Sequence, residues 1–84
     1  MIEVMILKSS GETETKNIDG SLKSMQEIVG GLIEPIYLGD KVMIVDEEGL
    51  CKEKPYNGQA SIIAERVLVG DAFIMSMKDW ETMT

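Results

Sequence analysis

The sequence feature that most constrains the fold is one amphipathic helix whose start and end are both marked. Ser21 is a favourable N-cap residue. Apolar side chains follow it at helical spacing on one face: Leu22, Met25, Ile28 and Val29. Gly30 or Gly31 can then adopt the left-handed conformation that ends a helix. The sequence therefore predicts one main helix between Ser21 and the glycine pair.

The rest of the first half is typical of β-strands. Residues 2–8 and 42–45 carry apolar side chains on both alternating faces, which indicates strands that are covered on both sides. Residues 13–18 are polar and contain β-favouring threonines, so we expect an outer strand there. Residues 32–38 form another extended run. Because Pro35 has no amide proton to donate, this strand lies at an edge or is broken at Pro35.

The second half combines turns, short strands and a weaker helical pattern. Residues 46–49 match a tight turn, after which residues 50–52 can return as a short strand. A turn at residues 55–58 precedes residues 59–66, whose pattern suggests a short helix. Residues 67–77 contain a central Gly-Asp pair and fit either a hairpin or one strand with a glycine bulge, and we favour the bulged strand.

These elements predict one α+β domain over residues 1–84, with a small mostly antiparallel or mixed sheet, one main amphipathic helix and a short second helix. Residues 2–8, 42–45 and 72–77 are apolar on both faces, and two helices cannot cover them all. Each exposed large aliphatic side chain forgoes about 1.5–3 kcal/mol relative to burial. We therefore expect a homodimer or higher homo-oligomer in which an uncovered sheet face or edge meets its copy. Trp80 either caps the core or anchors a contact with a subunit or another partner.

Charge and composition exclude several kinds of partner. Eight basic against fifteen acidic residues give a net charge of −7, which opposes binding to duplex nucleic acid. No apolar run approaches the roughly 18–20 residues of a membrane-spanning helix, so no membrane partner is expected. Residues 1–8 lack the features of a secretion signal and the lone cysteine rules out an internal disulfide, so we expect a cytoplasmic protein. A small nucleotide or a basic protein surface stays open as a partner.

The chain offers no catalytic constellation. Histidine is absent, so no mechanism can use imidazole as base or metal ligand. We interpret Cys51 as a small strand residue, with Lys52 and Lys54 beside it as solvated charges. The carboxylates of residues 46–48 could hold a hard divalent cation, but their spacing favours a solvated hairpin tip. We predict that the protein is not an enzyme and has no metal and no cofactor.

One turn is the best candidate for a ligand site. Tyr56 offers an aromatic surface, Asn57 and Gln59 offer amide side chains, and Gly58 gives a flexible backbone just before a helix N-terminus. Arg66, the sole arginine, lies at the other end of that helical segment. The alternative interpretation is a plain turn without a ligand.

The order of these pieces resembles a family of small domains of unknown function that bacteriophages, plasmids and other mobile elements of bacteria encode. The resemblance rests on residues 18–22, 26–34, 47–49, 55–57 and 69–74. Members typically carry an arginine where Gly58 stands in this chain.

The resemblance implies a context and leaves the mechanism open. Small mobile-element proteins without catalytic residues commonly act by binding, which suggests a counter-defence role in the host bacterial cytoplasm. The hypothesis that we favour is a protein that sequesters a small nucleotide-type ligand between subunits, with backbone amides near residues 57–59 binding it, Tyr56 stacking on it and Arg66 or a nearby lysine supplying charge. The second is an acidic inhibitor of a host defence or nucleic-acid-binding protein. The third is a structural or regulatory accessory domain.

Overall fold

The computed structural model describes residues 1–83 as an α+β fold of five strands and three helices. The elements in chain order are β1 (Ile2–Leu7), β2 (Thr13–Ile18), α1 (Leu22–Val29), β3 (Ile33–Tyr37), β4 (Lys41–Asp46), α2 (Gly58–Ala64), β5 (Ala72–Ser76) and α3 (Met77–Met83). The strands form one sheet in the order β2-β1-β5-β4-β3, and every neighbouring pair is antiparallel. The predicted fold class is confirmed.

Helix α1 begins and ends where the sequence indicated. The Ser21 hydroxyl accepts a hydrogen bond from the Ser24 amide at 3.1 Å. Gly30 adopts a left-handed conformation with φ of 80°, and its amide donates to the Gln26 carbonyl at 2.7 Å. Met25 and Val29 are buried, whereas Leu22 is 55% exposed and lies outside the buried stripe. The caps follow from local sequence, while burial depends on what the helix packs against.

The sheet separates two apolar clusters. Helices α1 and α3 cover one face, here called the α1 face, where buried side chains from α1 and four strands meet: Val4, Ile6, Ile18, Met25, Val29, Val42, Ile44, Phe73 and Met75. Helix α2 covers the opposite face, here called the α2 face, with a smaller buried set: Leu7, Met43, Val45, Ala60, Leu68 and Ala72. Met5 on the α2 face stays 47% exposed, so β1 is covered less completely on that side than predicted.

The two edge strands are β2 and β3. Residues 13–17 of β2 are all exposed, as expected of an outer strand. Pro35 lies in the middle of β3, opposite Ile44 of β4, which confirms the predicted edge position. The accessible surface of 4950 Å² is close to the ~5,000 Å² typical of a compact monomer of this mass.

The chain between β4 and α2 differs from the prediction. Residues 50–52 form turns and no strand, because residues 47–53 bond to one another: the Lys52 amide donates to the Glu48 carbonyl at 3.1 Å, and the Glu53 amide donates to the Leu50 carbonyl at 3.3 Å. Cys51 is accordingly an exposed turn residue and no strand residue.

Residues 67–77 form neither the hairpin nor the bulged strand. The strand begins only at Ala72, and Val69 instead makes an isolated antiparallel bridge with Tyr56. Gly70, with φ of 76°, turns the chain, and its amide donates to the Pro55 carbonyl at 2.7 Å. The apolar residues before Gly70 therefore pair with the loop that precedes α2.

Helix α3 was not predicted. The Ser76 hydroxyl accepts from the Asp79 amide at 3.1 Å, and Met77, Trp80 and Met83 pack against the core of the α1 face. A Ser followed by large side chains at spacing three is a local helix signal that could have found it. Trp80 thus packs on the core, and its role in a subunit contact stays a prediction. No helix within residues 1–83 is long and apolar enough to span a bilayer.

Candidate functional site

The side chain of Asn57, a predicted site residue, points into the protein. It is fully buried, and its amide nitrogen donates to the carbonyls of Leu7 and Gly70, both at 2.8 Å. Its amide oxygen accepts from the Ala60 amide at 3.0 Å and so caps α2. Both amide protons are used inside the fold, so this side chain holds α2 against β1 and the segment before β5.

Ser61 completes this arrangement. Its buried hydroxyl donates to the Asn57 carbonyl at 2.7 Å and accepts from the Leu68 amide at 2.8 Å. The backbone amide of Asn57 donates to the Leu68 carbonyl at 2.9 Å. We call Asn57 and Ser61 together the polar anchor. It satisfies backbone groups that the irregular chain around α2 would otherwise leave buried and unpaired.

The other predicted site residues lie at the two ends of α2. Tyr56 is 59% exposed, Gly58 opens the helix, and the Gln59 side chain donates to the Gly11 carbonyl at 2.7 Å. Arg66 lies beyond the other end, about 10 Å along the helix, and its guanidinium is 3.4 Å from the Glu34 carboxylate. The structure brings Tyr56, Gly58 and Gln59 together and leaves Arg66 apart from them.

Asp46 is buried, which contradicts the predicted solvated tip. Its Oδ2 atom is 2.6 Å from Lys54 Nζ and 3.0 Å from Lys52 Nζ, and its Oδ1 atom accepts from the Glu48 amide at 2.9 Å. Burial raises the pKa of Asp46, but the hydrogen bonds from Lys54, Glu48 and Lys52 outweigh it and lower that pKa to about 2. The carboxylate is therefore ionised at neutral pH.

The two lysines also bind the end of α1. Lys54 Nζ donates to the Val29 carbonyl at 2.6 Å, and Lys52 Nζ donates to the Gly30 carbonyl at 3.2 Å. Cations are favourable at a helix C-terminus, where carbonyls are unpaired. A Cβ atom at Gly31 would collide with Lys52 Nζ and with the Asp46 carboxylate. The lysines are thus structural and not simply solvated, and within residues 1–83 no group of three or more metal-ligating side chains could hold a metal ion.

A groove of about 520 Å³ lies between α1 and the β1–β2 hairpin, and we call it the hairpin groove. Ile6, Ile18 and Ile28 supply apolar surface in it. Its ionisable side chains comprise four carboxylates and two ammonium groups: Glu14, Asp19, Glu27, Asp71, Lys8 and Lys16. These residues come from distant parts of the chain, and no local motif marks them. The groove was therefore missed from the sequence.

Hydrogen bonds fix several of these charges. Lys8 Nζ is 3.2 Å from Glu14, and the hydrogen bond and charge of Glu14 raise the pKa of Lys8. The Asp19 carboxylate accepts from the Ser21 amide at 2.8 Å, which lowers the pKa of Asp19. Asp71 accepts from the Ser9 amide at 3.0 Å. Because carboxylates outnumber ammonium groups, the groove attracts cationic groups and repels phosphate.

Comparison with protein families gives a match over nearly the whole chain. The family described as Domain of unknown function (DUF3846) matches residues 2–84. The chain belongs to this family. No curated protein and no solved structure matches this DUF3846 domain.

The DUF3846 domain also exposes apolar side chains around α2. Ile62 is 78% exposed and Ile63 is 44% exposed, because Ala60 and Ser61 take the buried side of the helix. The sequence predicted the helix but not which side of it is buried. The buried side contains the polar Ser61, which is buried because its hydroxyl hydrogen-bonds to backbone groups.

Proposed function

We propose that this DUF3846 domain is a non-enzymatic binding protein whose hairpin groove engages a basic surface of a protein partner. The observation that carries the proposal is the excess of carboxylates over ammonium groups in the groove, in a chain of net charge −7. Complementary charge steers association and selects the partner. The three isoleucines of the groove would contact apolar parts of the bound segment.

The biological setting of the proposal follows from the family resemblance. We place the protein in a bacteriophage or mobile element and in the host bacterial cytoplasm, with a counter-defence role. A host defence or nucleic-acid-binding protein offers the basic surface that an acidic groove complements, since such a surface normally meets phosphate. Acting by occupancy requires about one copy of the domain for each partner bound.

A second candidate function is sequestration of a small nucleotide-type ligand between subunits. The exposed ring of Tyr56 beside Gln59 favours it, because an accessible aromatic ring can stack on a base. Two findings count against it. The side-chain amide of Asn57 donates both of its protons to backbone carbonyls inside the fold, and Arg66 forms an ion pair with Glu34. We therefore rank it below the protein-binding function.

Titration calorimetry separates the two candidates. The probes are a decalysine peptide and a panel of nucleotides and cyclic oligonucleotides. We expect saturable heat with decalysine and none with the nucleotides. Glu27→Gln, in the groove, is expected to weaken decalysine binding several-fold, whereas Glu3→Gln, an exposed position on the α2 face, leaves it unchanged.

The reverse pattern, heat with a nucleotide and none with decalysine, would establish the second candidate. Heat with neither probe would contradict both and favour a structural or regulatory accessory domain. Equal weakening by Glu27→Gln and Glu3→Gln would show that net charge binds the peptide and that the groove does not.

A further inference from the structure

The outer edge of β2 carries complete backbone hydrogen-bonding groups. In an antiparallel sheet, successive residues direct their N–H and C=O groups to opposite sides of the strand. The Lys8 amide donates to the Glu12 carbonyl at 2.9 Å, so the even-numbered residues that follow on β2 bond to β1 in the same way. Thr13, Thr15 and Asn17 therefore direct their N–H and C=O groups outward.

The outer edge of β3 is interrupted. The Leu38 amide donates to the Lys41 carbonyl at 2.9 Å, and the Glu47 amide donates to the Leu32 carbonyl at 2.8 Å. The even-numbered residues of β3 therefore bond to β4, and Pro35 is one of the residues that face outward. Because proline has no N–H group, the middle of this edge lacks a donor. The two edges of the sheet are unequal in what they offer a further strand.

We propose that a second copy of this chain pairs with β2 in antiparallel register about a two-fold axis at Thr15. Thr15 then lies opposite the partner's Thr15, and Thr13 lies opposite the partner's Asn17. These are the residues whose backbone groups face outward, so each such pair exchanges two main-chain hydrogen bonds. The result is one sheet that continues across both subunits.

Charge selects this register. Glu14 lies opposite the partner's Lys16, and the reciprocal pair forms across the axis, at positions where side chains approach most closely. Sliding the pairing by two residues in one direction sets Glu14 against the partner's Glu14. Sliding it in the other direction sets Lys16 against the partner's Lys16. An edge lysine ordinarily discourages pairing, but in this register it meets an opposite charge.

The pairing also joins the two hairpin grooves. A two-fold axis perpendicular to the sheet keeps both α1 faces on the same side. Glu14 and Lys16 line the groove of each subunit, so the grooves meet at the axis. This inference deepens the proposed function and rests on it for the role of the groove, although the pairing itself is tested without any binding partner.

Sedimentation equilibrium across micromolar concentrations tests the pairing. We expect the wild-type chain to form dimers. Glu14→Lys and Lys16→Glu each set like charges against each other in both pairs, and each is expected to weaken the dimer about tenfold or more. The double variant, Glu14→Lys with Lys16→Glu, restores opposite charges and is expected to restore the dimer. Glu34→Lys on the β3 edge is the control for charge reversal: it removes the ion pair with Arg66 and is expected to leave the dimer unchanged.

Both β2 residues are exposed, so the variants are expected to fold, and circular dichroism checks this. A monomeric wild-type chain, a dimer that resists both single substitutions, or a double variant that stays monomeric would overturn the inference. If the wild-type chain is monomeric but binds decalysine, the pairing is wrong and the proposed function stands. If the wild-type chain is dimeric but does not bind decalysine, the pairing stands and the proposed function is wrong.

Discussion

The polar anchor and the hairpin groove are both rich in polar side chains, but the protein uses their polarity differently. The side chains of Asn57 and Ser61 form hydrogen bonds with buried backbone groups of the same chain. Glu14, Asp19 and Glu27 of the groove are exposed to solvent. The comparison teaches that a polar turn becomes a binding site only when its groups are left accessible after folding.

The largest expected effect on stability is at the anchor. Asn57→Ala removes the partner of three buried backbone groups, those of Leu7, Gly70 and Ala60. We expect the free energy of unfolding to fall by about 3 kcal/mol, measured by urea denaturation. A loss within about 0.5 kcal/mol would mean that the anchor is dispensable.

The lowered pKa of Asp46 predicts that acidification reduces the free energy of unfolding by about 2 kcal/mol. Its folded pKa, about 2, is below the ordinary value near 3.9, so ionisation stabilises the fold fully above about pH 4–5. This contribution is lost as the pH falls through the folded pKa. Urea denaturation at pH 5 and pH 2 measures this change. We expect the free energy of unfolding to fall more between these two pH values in the wild-type protein than in Asp46→Asn. Equal losses in the two proteins would contradict the ion cluster.

A substitution at the start of α1, which forms one wall of the hairpin groove, is expected to have an intermediate effect on stability. Ser21→Ala removes the hydroxyl that accepts the Ser24 amide at the start of α1. We expect a loss of about 1 kcal/mol in the free energy of unfolding, by thermal or urea denaturation. Ser21→Asp keeps a capping oxygen and is expected to restore most of it. A full loss in that variant as well would show that the cap is not the cause.

The smallest expected effect on stability lies inside the groove. Glu27 is exposed, so Glu27→Gln is expected to change the free energy of unfolding by no more than about 0.5 kcal/mol. The same variant is expected to weaken decalysine binding, which separates binding from folding. A loss above about 1 kcal/mol would make Glu27 structural, like Asn57, and would remove the contrast between the two regions.

The sequence predicted the parts that depend on neighbouring residues. The cap at Ser21, the stop at Gly30, the outer strand β2 and the edge position of Pro35 all follow from local chemistry. The short α2 helix was found for the same reason. Helix α3 had a local signal as well, in Ser76 and the spacing of Met77 and Trp80, and was overlooked.

The parts that depend on distant contacts could not be predicted. Asn57 meets Leu7 across 50 positions of sequence, and Lys54 meets Val29 across 25. An asparagine before a helix looks the same whether its side chain is buried or accessible. The predicted ligand turn and the predicted solvated lysines were both interpreted as surface features for that reason.

The most direct test of the account is a map of where a basic peptide binds. Decalysine is titrated into the isotope-labelled protein, and the backbone amide NMR signals are followed. We predict that shifts concentrate in segments 14–19 and 24–28, which contain most of the residues that line the groove. Shifts concentrated at residues 56–59, or spread evenly over the acidic surface, would contradict it.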